Sequence, residues 1–109
     1  MELADYQQRS RATAVYPNAG GDLLYPTLGL CGEAGEVAEK VKKMLRDDAG
    51  VLTDERRAAL AAELGDVLWY LAQVATEAGL TLDAIAADNL AKLASRSGRG
   101  ALGGSGDDR

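Results

Sequence analysis

Two pairs of acids carry the first chemical signal in this sequence: Glu33 and Glu36 in "LGLCGEAGEVAEK", and Glu63 and Asp66 in "ELGDVLWYL". Each pair is spaced by three residues, which on a helix sets both carboxylates on adjacent ridges within reach of one ion. Four like charges brought together repel and raise one another's pKa, and a hard divalent cation relieves that repulsion. Mg²⁺ takes carboxylate oxygens, keeps some waters and suits phosphate substrates, and Mn²⁺ can stand in for it. Calcium fits less well, because no EF-hand loop pattern occurs. The competing reading is a pair of ordinary solvated helix faces. Two pairs at the rims of apolar faces on consecutive helices favour the ion.

The helices that must hold these acids are legible from periodicity. Every long segment repeats its apolar residues at helical spacing, and no valine- or isoleucine-rich alternation marks a strand, so the expected fold is all-α with four helices. The first runs from about Glu2 to Val15 and is stopped by the turn residues of "YPNAGGD". The second starts near Pro26, a residue suited to a first helical turn, and continues to about Arg46, where "DDAG" breaks the pattern. Thr53 is the expected N-cap of the third, with Asp54 and Glu55 at its positive end. This helix ends near Ala78 at a Gly79 C-cap. Thr81 caps the fourth, to about Ser97. The domain is therefore read as residues 1–97, with a glycine-rich tail at 98–109.

On the third helix Leu60, Leu64, Val67 and Leu71 centre one face, at about 100° per residue, and Glu63 and Asp66 lie at its edge. On the second, Gly29, Gly32 and Gly35 each forgo about 1 kcal/mol of helix propensity relative to alanine. Two explanations stand: close packing of a neighbouring helix, or room for a ligand beside the glutamates. Cys31, the sole cysteine, reads as a small buried residue.

Composition bounds the rest. At 109 residues the chain is one domain. Alanine fills 20 positions and phenylalanine none, so each core side chain buries little area at about 25 cal/mol per Å². A lone protomer would have a thin core, and a homo-oligomer is expected. Net charge is −5, with seventeen acids against twelve bases, and the densest basic cluster is "KVKK" at 40–43. Duplex nucleic acid is an unsuitable partner for such a surface. Lys40, Lys42 and Lys43 read as a solvated face. The absence of apolar runs long enough to span a bilayer argues against a membrane partner and for a cytoplasmic protein. Histidine is absent, which removes Ser-His-Asp and Cys-His catalysis and histidine-bearing metal sites. Oxygen ligands must carry any chemistry.

"LGLCGEAGEVAEKVKK" followed by "ELGDVLWYL" resembles the MazG-like all-α nucleoside triphosphate pyrophosphohydrolases, whose signature is Glu-x-x-Glu, a spacer, then Glu-x-x-Asp. The spacer here is residues 37 to 62, and the resemblance extends through "DNLAKLASR", covering about residues 6 to 96. It implies a four-helix protomer that pairs into a dimer or tetramer. The implied reaction is cleavage of a nucleoside triphosphate, or its deoxy form, to the monophosphate and pyrophosphate in nucleotide-pool sanitation. The alternative is a regulatory module that binds the Mg²⁺-nucleotide without turnover. Under the resemblance Glu33, Glu36, Glu63 and Asp66 bind Mg²⁺. Asn89 and Lys92, the family's Asn-x-x-Lys, contact substrate and phosphate, with Arg96 on the same helix face, and Tyr70 is a nucleotide contact. Trp69 is assigned to packing. Some relatives carry a glutamate, a general base, where this chain has Gly32, which leaves Glu36 or Glu39 as candidate bases. The tail, with Gly103, Gly104, Ser105, Gly106 and Arg109, is a candidate phosphate cover.

Overall fold

Four helices and no strand make up the described part of the computed structural model, which covers residues 1–100 and Gly103: α1 (Leu3–Arg11), α2 (Leu24–Asp47), α3 (Asp54–Glu77) and α4 (Leu82–Gly98). The all-α expectation holds, and the caps read from sequence are in place. Thr53 accepts from the Arg56 N–H at 3.1 Å and Thr81 from the Ala84 N–H at 3.1 Å, each satisfying a backbone donor that the first turn leaves unpaired. Gly79 closes α3 at φ +71°, where only glycine avoids a Cβ penalty. Proposed contacts of the tail beyond Gly103 lie outside the described residues.

Two boundaries differ from the sequence reading. α1 ends at Arg11 rather than near Val15. Residues 12–14 tighten into turns closed between residues three apart, with the Thr13 N–H donating to Ser10 O and the Ala14 N–H to Arg11 O. Tertiary bonds hold the chain there: Trp69 Nε1 donates to Thr13 Oγ1 at 2.8 Å, and Arg11 donates to the Tyr16 hydroxyl at 2.7 Å. At the other boundary α2 begins two residues before Pro26, because Asp22 Oδ1 accepts the Leu24 N–H at 2.9 Å. Pro26 still falls within the first turn, where its missing N–H is harmless.

α2 and α3, 24 residues each, pack along their length as an antiparallel hairpin closed by residues 48–53, with Ala49 and Gly50 both at positive φ. α1 lies against α3, and α4 packs on α1 rather than along the hairpin. The buried core is as thin as the alanine content implies: Ala72, Ala75 and Leu82, flanked by Tyr6. Beside it Gln73 is wholly buried, its amide donating to Ser10 Oγ at 3.0 Å and its carbonyl accepting from Arg11 at 3.2 Å. Leu24, Leu28 and Leu45 of α2, and Leu64, Leu68 and Leu71 of α3, remain exposed. Cys31 is exposed too, contrary to expectation, because it shares the uncovered side of α2 with Leu28 and Gly35.

Candidate metal centre

The antiparallel pairing of α2 and α3 brings Glu33 opposite Glu63 and Asp66. One carboxylate oxygen from each lies within 4.8 Å of those of the other two. Glu33 and Glu63 are half-buried, while Asp66 is exposed. Burial first, then the negative charges of Asp66 and Glu63, hold the Glu33 carboxyl above the usual carboxylate range. A group that resists ionisation beside two other acids is poised for a cation, and three hard oxygens from two rigid helices match the donor set Mg²⁺ prefers. The chemistry of the donors therefore fits a hard divalent ion.

Gly29 explains how the two helices come so close. A Cβ there would stand 2.2 Å from the Tyr70 ring of α3, so the ring lies directly on the α2 backbone one turn before Glu33. Packing accounts for this glycine. At Gly32 and Gly35 an added Cβ would meet open space, so packing inside the protomer explains neither.

The carboxylates open on a recess of about 370 Å³ lined by Thr13, Glu33, Asp66, Trp69 and Tyr70. Tyr70 lines this recess, and burial foremost raises the pKa of its phenol. Trp69 packs as expected, edge-on to Tyr70 at 5.0 Å between ring centroids and to Tyr16 at 6.1 Å, and it also lines the recess. Tyr16 in turn stacks on Tyr25 at 5.4 Å. The signal was available, since Trp69 follows Asp66 at the same three-residue spacing as the acid pairs.

Other candidates are placed differently. Glu36 is exposed and outside the three-oxygen group, though its charge still reaches Glu33. Glu39 is bound to Lys42 at 2.7 Å, and that hydrogen bond and charge hold its carboxyl below the usual range. Lys40 belongs to no solvated stripe; its ammonium lies 3.7 Å from Glu63. Asn89, Lys92 and Arg96 sit on α4, which the protomer does not pack along the carboxylate-bearing hairpin. Asn89 is exposed, Lys92 half-buried and Arg96 buried.

Comparison with known proteins agrees with this architecture. The chain is 51% identical, over the full length of both proteins, to the Gene 37 protein of Mycobacterium phage L5, a name that carries no activity. No solved structure matches it. The family model of the MazG nucleotide pyrophosphohydrolase domain matches residues 22–100, a span that begins just before α2 and contains both acid pairs, the aromatic wall and α4. A helical hairpin with its acids converging across the two helices, together with that match, shows that the chain belongs to the MazG nucleotide pyrophosphohydrolase family.

Proposed function

We propose that this protein hydrolyses (deoxy)nucleoside triphosphates to the monophosphate and pyrophosphate in a Mg²⁺-dependent reaction that clears unwanted nucleotides from the pool. The observation that carries the reading is the convergence of Glu33, Glu63 and Asp66 beside a recess walled by Trp69 and Tyr70. The three carboxylates are the ligands we assign to the ion, and Glu36, exposed one turn along α2, is within reach of the same charge field. When bound, Mg²⁺ would neutralise phosphate charge, including the charge developing on the pyrophosphate leaving group.

The rings of Trp69 and Tyr70 offer apolar and π surface to a nucleobase, and Trp69 is oriented by its bond to Thr13. The protonated Tyr70 hydroxyl is a donor for the sugar or a phosphate oxygen. Of the two candidate bases, Glu36 is the stronger: Glu39 is committed to Lys42, whereas Glu36 is solvent-facing and free to orient a water.

We further propose that the working form is a homo-oligomer in which α4 brings Asn89 and Lys92 toward substrate, while Arg96, buried within the protomer, holds α4 in place. The support is apolar: Leu28 of α2, Leu64 and Leu68 of α3, and Leu90 of α4 stand exposed on the protomer surface.

Product analysis tests the function directly. Purified protein with Mg²⁺ and a panel of canonical and modified nucleoside triphosphates should yield monophosphate and pyrophosphate, resolved by anion exchange and a pyrophosphate assay. Glu63→Gln and Asp66→Asn should each lower turnover about 100-fold or more, with unchanged circular dichroism. Folded protein that binds the Mg²⁺-nucleotide without product would be a binding module instead.

A further inference from the structure

The ion pairs of the α2–α3 hairpin gather mainly at its turn, where Arg56 meets Asp47 and Asp48, or on exposed helix surface, as Lys42 does with Glu39 and Arg57 with Asp54. One pair differs in place and in shielding. Lys40 reaches from α2 across to Glu63 of α3 at 3.7 Å, with the lysine side chain 32% and the glutamate side chain 17% exposed. Its partner is a member of the carboxylate group. Lys40 also lines a polar recess of about 330 Å³ with Lys43, Asp48, Glu55, Arg56 and Ala59, where Arg56 is already paired with Asp48 and the flexible lysine stem has open space beside it.

We propose that Lys40 is the resident counter-cation of the carboxylate group: its ammonium neutralises Glu63 in the metal-free protein, competes with Mg²⁺ for that carboxylate, and thereby sets the metal affinity. This rests on the metal reading of the site. The physical reason is that three acids this close cannot all stay ionised at low cost without positive charge nearby. A lysine is a compact point charge on a long stem, able to hold Glu63 and then release it. Lys40 also ties the two helices together where their acids repel, so the hairpin keeps its shape before an ion arrives. Once an ion is bound, the same ammonium becomes an unfavourable neighbour. Removing it should therefore weaken the metal-free fold and tighten the metal-bound state. An ordinary inter-helix ion pair would do only the first.

The test is Mg²⁺ titration by calorimetry and thermal melting in EDTA and in saturating Mg²⁺, on wild type, Lys40→Met, Lys40→Arg and Lys43→Met. Lys43 lines the same recess and controls for the loss of one charge. Lys40→Met should bind Mg²⁺ about three- to tenfold more tightly, melt lower than wild type in EDTA, and recover most of that difference in Mg²⁺. Lys40→Arg should stay near wild type, and Lys43→Met should move the affinity less. Unchanged or weaker Mg²⁺ binding by Lys40→Met overturns the inference, as does an equal loss of melting temperature in both conditions. Wild type that binds no Mg²⁺ overturns the metal reading and this inference together, whereas wild type that binds while Lys40→Met does not differ overturns this one alone.

Discussion

At the scale of single residues, the three glycines of α2 separate into two kinds. Gly29 is required by the Tyr70 ring lying on its Cα, and Gly32 and Gly35 face open space. Gly29→Ala should destabilise the protein by about 1–3 kcal/mol, the usual cost of overpacking, measured by urea unfolding. Gly32→Ala should instead stabilise the fold by up to about 1 kcal/mol through helix propensity, so any loss of turnover there reports on the substrate side. Glu33 supplies a pH test. Its folded pKa lies above its unfolded one because of burial and its acidic neighbours. The native state thus binds the proton more tightly, and this group's penalty to the metal-free fold is largest above the folded pKa and disappears as pH falls toward the ordinary glutamate range. Mg²⁺ must displace the same proton, so its affinity should fall across that window, with proton uptake on metal release visible by calorimetry in buffers of different ionisation enthalpy. Glu33→Gln should abolish that proton linkage.

Elements set where these residues can act. The α2–α3 hairpin is a rigid frame whose caps are local: Thr53→Ala removes the side-chain acceptor for the Arg56 N–H and should cost about 1 kcal/mol, read as a lower melting temperature with unchanged kinetics. α1 and the loop after it have another task. Arg11 binds Tyr16, Gln73 and Glu77, and the Gly20 N–H donates to Glu77, so the loop is fastened across the end of α3. That fastening places Tyr16 against both Tyr25 and Trp69. The aromatic wall of the recess is therefore held by residues well outside the acid motif.

The whole molecule is shaped for company. Exposed leucines line α2 and α3, and Ile85, Leu90 and Leu93 are exposed on α4. Apolar side chains this exposed on three helices are what a subunit interface hides. Sedimentation should give a dimer or tetramer at micromolar concentration. Leu64→Glu combined with Leu68→Glu should shift it toward monomer and lower the melting temperature, because burying either carboxylate without a partner is strongly unfavourable.

The helices, their caps and the two acid pairs were legible in the sequence because each depends on residues within a turn or two: apolar spacing near 3.6, a threonine before an acidic first turn, a glycine at positive φ. The sequence reading joined all four acids across consecutive helices, and the antiparallel packing brings together only Glu33, Glu63 and Asp66, leaving Glu36 outside. What the sequence could not convey was register and direction across helices. Only packing shows that Gly29 receives Tyr70, that Lys40 reaches Glu63 while Lys42 turns to Glu39, that Trp69 faces the acids, and that Cys31 lies open. Apart from the local Lys42–Glu39 pair, three positions apart, those outcomes depend on contacts between residues some 20 to 60 positions apart, where side-chain reach and the length of the 48–53 connection decide the partner. The place of α4 is decided the same way: its periodicity marks an amphipathic helix, but which surface it meets is a property of the folded chain.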